Sequence, residues 1–177
     1  DDTTFYPSKG KERLKSMIET RPDWCVSRQR VWGVPLPIFV NKKSNKILID
    51  DEVFENIAKI YEKEGSDCWF ADNPQKFLGE KYKSEDFEKL SDIVEVWFDS
   101  GSTHSFVLEK RKDLKWPASM YLEGSDQHRG WFHSSLLEAC GTRGRAPFES
   151  ILSHGFVVDG KGPVSYTHLT LPTISRV

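Results

Sequence analysis

The sequence has few cysteines, and they do not have the spacing of a metal site. Cys25, Cys68 and Cys140 are its three cysteines among 177 residues, and none belongs to a C-x-x-C pair. Their odd number and wide separation argue against both a disulfide framework and a zinc ribbon. We therefore expect a reducing compartment and no zinc site in this chain.

Long apolar runs and a strong excess of one charge are also absent. No apolar stretch approaches the roughly 20 residues that a membrane helix needs. The 25 basic side chains are balanced by 27 acidic ones, so the formal charge of −2 provides no global basic field that would indicate a nucleic-acid partner. We expect a cytoplasmic protein that does not bind a membrane.

One local cluster of basic side chains lies near the amino end. Its members are Lys9, Lys11, Arg13, Lys15, Arg21, Arg28 and Arg30. Such a run is more often a solvated helix face, and a phosphate-binding track is the alternative. Arg28 and Arg30 could either anchor phosphate or pair with acids such as Asp23.

The amino-terminal part of the chain predicts one helix and one irregular strand. Leu14, Met17 and Ile18 have helical spacing within 9–19, and Pro22 stops the helix. The β-rich run that ends near residue 40 contains Pro35 and Pro37, which favour an edge or irregular strand.

Residues 41–92 differ in character from the rest. They are rich in Lys, Glu and Asp, and they predict helices over 51–64 and near 73–78. They offer no chemical cluster. We interpret them as a small inserted α-rich subdomain.

The last third of the chain alternates strands and a helix. Buried strands are predicted over 93–98, 120–123 and 151–158, with a helix over about 127–140. A strand, a helix and a strand within some forty residues are typical of a parallel crossover. The fold class is therefore α/β with a parallel sheet.

The segment YLEGSDQHRGW, residues 121–131, is the densest group of polar chemistry in the chain. It lies where a strand gives way to a helix, and ligands bind in the crevice outside the carboxyl ends of parallel strands. Gly124 would allow the backbone to approach a ligand, and Glu123, Asp126 and Gln127 could accept hydroxyl and amine donors. The alternative is an ordinary helix cap formed by Ser125 or Asp126.

Two other dense segments fit the same architectural position. Residues 28–33 precede an early strand, and residues 97–102 lie at the end of the strand predicted over 93–98. If the three segments converge, Trp97 and Trp131 could form the walls of an apolar pocket with polar groups at its ends. A core position for each tryptophan, and a capping role for Gln127, are the alternatives. His104, His128 and His133 are interpreted as structural or hydrogen-bonding residues, because they lack metal-ligand partners at suitable spacing.

Four motifs carry a specific resemblance. RPDWCVSRQRVWGVP, VEVWFDSGSTHS, YLEGSDQHRGWFHSSL and LSHGFVVDGKG are similar, in order and spacing, to the half of the catalytic domain that follows the editing domain in bacterial-type isoleucyl-tRNA synthetases. This is a family of class I aminoacyl-tRNA synthetases. The resemblance covers about residues 1–162 and implies the second half of a Rossmann-like nucleotide-binding domain, formed by 1–40 and 93–162.

The resemblance also implies substrates and residue roles. The parent protein would activate isoleucine with ATP and Mg²⁺ and transfer it to tRNA(Ile), and we expect it to be a monomer. Trp97 and Trp131 would flank the isoleucine side chain, Gln127 would bind its ammonium group, and Glu123, Gly124 and Asp126 would hold the ribose and adenylate. His154 and Gly155 would lie near the adenine. The alternatives are a valyl or leucyl enzyme and a non-catalytic α/β nucleotide-binding or interaction module.

The chain departs from the family pattern after residue 162. The lysine of the family's KMSKS loop is missing, and residues 164–173 resemble the translation of a sequencing-library adapter. We expect residues 163–177 to be a non-native tail, the alternative being a genuine divergent tail. The family's HIGH motif and editing domain would precede residue 1, so we expect a fragment that is inactive on its own.

Overall fold

The structure is a computed structural model that describes residues 2–156, 158–159 and 162–163 of the chain. The chain divides into two compact units, one comprising Asp1–Asp23 with Ser100–Val177 and the other Trp24–Asp99. The α-helices are, in order, α1 (Lys9–Glu19), α2 (Asp51–Glu64), α3 (Cys68–Ala71), α4 (Pro74–Leu78), α5 (Val96–Gly101) and α6 (Trp131–Arg143).

The strands are short in both units. They are β1 (Thr4–Tyr6), β2 (Ser27–Arg28), β3 (Phe39–Asn41), β4 (Phe87–Lys89), β5 (Ile93–Val94), β6 (Tyr121–Gly124), β7 (Ser150–His154), β8 (Val158–Asp159) and β9 (Gly162–Pro163). Two 3₁₀ turns, Ser84–Asp86 and Ser125–His128, and a π-helical turn, His104–Leu108, complete the described elements.

A parallel sheet organises the first unit. Its three strands lie in the order β1-β7-β6, and β7 pairs in parallel with both neighbours. The strand, helix and strand from β6 through α6 to β7 confirm the predicted parallel crossover. The core of this unit contains Leu14 of α1 and Phe132 of α6 together with Tyr121, Phe148 and Ile151. The predicted α/β class is therefore confirmed.

Aromatic residues form the core of the second unit. The Trp69 side chain is fully buried, and its ring centroid lies 5.0 Å from that of Phe39 and 5.0 Å from that of Phe77. The indole Nε1–H donates to the Leu90 carbonyl over 2.8 Å. Antiparallel pairs β3–β4 and β2–β5 belong to the same unit, which contains the whole of the predicted subdomain 41–92.

Helix predictions are confirmed where apolar periodicity was strong. The structure places α1 and α2 at the predicted bounds, and α4 follows Asn73, whose side chain accepts the Gln75 N–H. No helix among the described residues combines the length and the apolar character needed to cross a bilayer. The predicted tail, 163–177, lies outside the described residues except for Pro163 in β9.

The strand predicted over 93–98 is wrong beyond Val94, because Glu95 caps helix α5, which begins at Val96. The Glu95 carboxylate accepts the Trp97 N–H over 3.0 Å, and its carbonyl accepts the N–H groups of Phe98 and Asp99. The apolar residues after it are substantially exposed, with Val96 at 67% and Trp97 at 42%. The apolar residues of 93–98 predicted a buried strand, but the buried Glu95 carboxylate caps a helix at this position instead.

Two other predicted bounds also differ from the structure. The predicted strand 151–158 ends at His154, and Gly155 and Phe156 belong to no strand. The predicted helix 127–140 begins only at Trp131, because Gly130 has non-helical angles, φ −106° and ψ −116°. Residues 125–128 form a tighter 3₁₀ turn, which exposes polar groups at the end of β6.

Asp50 stabilises the start of α2 through both carboxylate oxygens. One oxygen accepts the Glu52 N–H over 3.0 Å, and the other accepts from Lys81 Nζ at 2.6 Å and Tyr82 OH at 2.7 Å. These two side-chain donors lower the pKa of Asp50 from 3.8 to about 2. Folding therefore favours the ionised carboxylate, and this contribution to stability is full above about pH 4 and is lost as the pH falls towards 2.

We expect Asp50→Asn to lower the thermal unfolding midpoint of the chain at pH 7 and to change it much less near pH 2. Asparagine has no negative charge to interact with Lys81. The wild-type carboxylate is ionised at pH 7 and becomes protonated in acid, so the two side chains differ less near pH 2. Asp51→Asn is the matched control, since it removes a charge from the same helical turn without touching Lys81 or Tyr82. A midpoint difference between wild type and Asp50→Asn that does not vary with pH would contradict this account.

Candidate functional site

The candidate site lies in the first unit, at the carboxyl ends of two parallel strands. Gly124 ends β6 and His154 ends β7, and the two are register partners. The polar turn Ser125–His128 follows Gly124 directly and leads into α6. This is the edge of a parallel sheet at which ligands bind. The strand-to-helix corner predicted for 121–131 is thus present.

Gly124 brings three of the predicted residues together. A Cβ atom added at this buried glycine would lie 2.5 Å from Asp126 Oδ1 and 3.9 Å from His154 Cε1. The first distance is too short for any side chain, so the Asp126 carboxylate approaches the backbone as closely as it does only because residue 124 is glycine. The result is a polar surface formed by backbone, carboxylate and imidazole.

Glu123 and His154 each make a local hydrogen bond at this surface. Glu123 Oε2 accepts the Gly124 N–H over 2.8 Å, and both Glu123 and Asp126 are exposed. His154 Nδ1 lies 2.6 Å from the Gly155 carbonyl oxygen, and both of these residues are exposed as well. Because a carboxylate can accept about four hydrogen bonds, Glu123 retains the capacity to bind a ligand hydroxyl.

Gln127 caps α6, which is one of the two roles considered for it. Its Oε1 accepts the Trp131 N–H over 2.9 Å, so one backbone donor at the helix start is satisfied by this side chain. An amide oxygen carries two lone pairs and can accept a second donor. The cap therefore orients the amide, and it leaves the oxygen able to accept from an ammonium group.

The Trp131 indole is held in one orientation by two contacts. Its ring stacks on Tyr121 with centroids 4.1 Å apart and an interplanar angle of 1°. Its Nε1–H donates to the Ser100 carbonyl over 3.1 Å, and the side chain is half-buried. Burial raises the pKa of Tyr121 to about 12, so its phenol stays neutral at physiological pH.

Sequence reasoning missed Tyr121 and Ser100 as supports of the site. Tyr121 opens the segment YLEGSDQHRGW, and Ser100 lies within the quoted WFDSGS. Both were therefore in view, but a strand tyrosine and a backbone carbonyl carry no chemical signature of their own. Only the folded chain shows that they hold Trp131.

The predicted structural roles of three histidines are confirmed. His104 Nδ1 lies 3.1 Å from the Gly101 carbonyl, and His128 Nδ1 lies 2.8 Å from the Ser125 carbonyl. His133 Nε2 lies 3.1 Å from Arg21 Nη1, and its burial, together with the Arg21 charge, lowers its pKa. Within the described part of the chain, no group of three or more His, Cys, Asp or Glu residues is placed to hold a metal ion.

The remaining predicted residues belong to the second unit. Trp97 lies on α5, and Arg28 contacts the carbonyls of Cys25 and Ser27 at 2.6 and 2.8 Å and the Glu95 carboxylate at 3.9 Å. Glu95, and not the suggested Asp23, is the acid beside Arg28. The pairing of Trp97 with Trp131 across a ligand stays a prediction.

The sequence matches one family and close relatives within it. The profile described as tRNA synthetases class I (I, L, M and V) matches residues 1–164. The isoleucine–tRNA ligase of Pelagibacter ubique (strain HTCC1062) is 83% identical over 162 residues, which are 92% of this chain and 18% of that protein. The isoleucine–tRNA ligase of Zymomonas mobilis subsp. mobilis is 56% identical over 162 residues, 92% of this chain and 17% of that protein.

A solved structure has a similar fold. In the crystal structure of the ternary complex of Agrobacterium radiobacter K84 agnB2 LeuRS-tRNA-LeuAMS, the matched region has a TM-score of 0.52 and 16% sequence identity, and it covers 92% of this chain and 24% of that one. At this identity the likeness concerns the fold alone. The chain spans less than a fifth of the length of the two isoleucine–tRNA ligases.

Proposed function

We propose, since this chain belongs to the class I tRNA synthetases (I, L, M and V), that it is a segment of an isoleucine–tRNA ligase. The observation that carries this proposal is the 83% identity over 162 residues to an enzyme of that name. The geometry of the first unit supports it, because the polar turn after β6 lies beside the end of β7, where a nucleotide-binding sheet holds its ligand.

The reaction of the parent protein would have two steps. The isoleucine carboxylate attacks the α-phosphorus of ATP, forming isoleucyl-adenylate and releasing pyrophosphate. The 2′-hydroxyl of the terminal adenosine of tRNA(Ile) then attacks the isoleucyl carbonyl, so that the ester forms and AMP is released. Mg²⁺ would accompany the ATP phosphates. An in-line attack of this kind requires positioning and charge neutralisation rather than an activated side chain. A turn that presents oriented carboxylate, amide and aromatic groups is suited to that task.

Each residue of the site has a distinct proposed role. Trp131, held flat on Tyr121, would contact the isoleucine side chain on one side, and Trp97 would contact it on the other. Gln127 Oε1 would accept from the ammonium group in addition to the Trp131 N–H. Glu123 and Asp126 would bind the ribose and adenylate close to the backbone of Gly124.

The adenine would lie at the end of β7. We propose that His154 and Gly155 contact it there, because His154 ends β7 beside Gly124. The side of the sheet edge formed by His154 and Gly155 is exposed, since both of these residues are exposed. The segments 1–40 and 93–162 would form the second half of the catalytic domain, with 41–92 inserted and 163–177 non-native. We expect the parent to act as a cytoplasmic monomer.

A chimera tests the proposal directly. Residues 1–162 of this chain would replace the matching segment of the Pelagibacter ubique enzyme, which is 83% identical to it. We expect isoleucine-dependent exchange of pyrophosphate into ATP within about tenfold of the parent enzyme, a difference of about 1.4 kcal/mol in activation free energy. The isolated 177-residue chain should show no exchange above background, because it spans 18% of the relative's length.

Controls separate the proposal from its rivals. Valine should support exchange less well by about 10–200-fold, a range for which isoleucyl synthetases are themselves the usual example. Preference of the chimera for valine or leucine would replace the isoleucyl proposal with a valyl or leucyl one. A folded chimera without any amino-acid-dependent exchange would support a non-catalytic module instead.

A further inference from the structure

His128 occupies a buried position directly behind the candidate site. It is the last residue of the Ser125–His128 turn, which also carries Asp126 and Gln127. Its side chain is 2% exposed, and its ring meets the fully buried Phe132 edge-on at a centroid distance of 5.5 Å. The imidazole therefore does not face the crevice, and the residue roles proposed above leave it unused.

The two ring nitrogens of His128 have different surroundings. Nδ1 lies 2.8 Å from the Ser125 carbonyl oxygen, which can only accept, so Nδ1 carries the proton and donates. Nε2 is buried and has no hydrogen-bond partner within the described part of the chain. The hydrogen bond from Nδ1 thus ties the last residue of the turn to its first residue.

The same ring also packs against the first turn of α1. A Cβ atom added at Gly10 would lie 3.0 Å from His128 Nε2, so α1 approaches the ring at a residue without a side chain. Gly10 is buried, and helix α1 follows strand β1, which belongs to the same parallel sheet as β6 and β7. The imidazole therefore packs between helix α1 and the Ser125–His128 turn.

We infer that His128 is a positioning residue that sets the conformation of the substrate-binding turn. The inference rests on the proposed function. His128 holds Ser125 by a hydrogen bond and α1 by contact, and the residues between positions 125 and 128 would bind isoleucine and adenylate. Because a displacement of about 1 Å in a binding group can cost about 100-fold in rate, a turn without this bond would bind both substrates less well.

A pair of amide substitutions in the chimera isolates the hydrogen bond. The side-chain nitrogen of asparagine is as far along the chain as Nδ1, whereas that of glutamine corresponds to Nε2. We expect His128→Asn to retain the bond to Ser125 and to keep kcat/KM for isoleucine and ATP within about threefold. His128→Gln should raise the KM for both substrates, lowering kcat/KM by about 10–100-fold.

The readout distinguishes positioning from a loss of folded protein. Active-site titration by the adenylate burst gives the fraction of competent enzyme, and a purely structural defect lowers that fraction and the apparent kcat without changing KM. His104→Gln is the matched control for ATP, because His104 is also 2% exposed and bonds a carbonyl three residues earlier. It should lower the thermal midpoint as much as His128→Gln does and leave the KM for ATP unchanged.

The possible outcomes are separable. Higher KM values for both substrates in His128→Gln but not in His128→Asn would support the inference. Equal KM values in the two variants, or a fall in kcat alone, would overturn it while the chimera itself stays active. An unmutated chimera without exchange activity would overturn the proposed function and, with it, this inference.

Discussion

Trp131→Ala in the chimera is expected to raise the KM for isoleucine by about 100-fold, since removing a large aromatic contact costs about 3 kcal/mol and 1.4 kcal/mol corresponds to a factor of ten. The indole would line the amino-acid pocket and not the nucleotide site. The KM for ATP should therefore change by less than about threefold. Pyrophosphate exchange at varied isoleucine and at varied ATP measures the two constants separately.

Trp131→Phe is the matched control for this prediction. Phenylalanine retains an aromatic face against Tyr121 but cannot donate the hydrogen bond that Nε1 makes to the Ser100 carbonyl over 3.1 Å. We expect a loss of about 1 kcal/mol for one such bond, or about fivefold in isoleucine KM. If the alanine variant impairs ATP and isoleucine equally, Trp131 supports the fold of the unit and does not form a pocket wall.

Trp69→Ala is expected to have the largest effect on stability. The side chain is fully buried among Phe39, Phe77 and Tyr61, and Lys89 donates to the Trp69 carbonyl. Replacing a buried tryptophan with alanine costs about 3–5 kcal/mol, because transfer free energy is lost and a cavity remains. Since whole domains are stable by only about 5–15 kcal/mol, this loss should unfold a large part of the population at moderate urea concentrations.

The measurement is the free energy of unfolding in urea, followed by circular dichroism of the 177-residue chain. Trp69→Phe serves as the control: it keeps a ring in the core and loses the 2.8 Å hydrogen bond to Leu90, so we expect an intermediate loss of about 1–3 kcal/mol. A free-energy change below about 1 kcal/mol for the alanine variant would show that the second unit does not depend on this core.

Local pattern was sufficient for the longer helices of the protein. Leu14 and Ile18 lie on one face of α1, and the bounds of α1 and α2 agree with those predicted from periodicity and caps. In such segments the residues that determine the structure are three or four positions apart, so they can be recognised in sequence. The position of the motif YLEGSDQHRGW in the fold could likewise be predicted, because a strand followed by glycines and polar residues predicts a turn at the end of a sheet.

Prediction from local sequence pattern failed where a contact outside the pattern determines the local structure. Residues 93–98 read as a strand, but Glu95 is buried beside Arg28, and its carboxylate caps the helix that follows. The start of α6 was placed four residues too early, because residues 125–128 form a 3₁₀ turn in which His128 bonds the Ser125 carbonyl, and Gly130 has non-helical angles. In both cases a side chain competes for backbone groups, which periodicity does not register.

The sequence by itself determined the α/β class, the parallel crossover, the family and the turn on which the polar residues of the candidate site lie. These depend on residue types and on spacings of a few positions. Only the tertiary structure decided that Gly124 lies beside His154, that Tyr121 and Ser100 hold Trp131, and that Gly10 leaves room for His128. Such contacts join residues ten or more positions apart, and they form only when burial of apolar surface brings the sheet and its helices together.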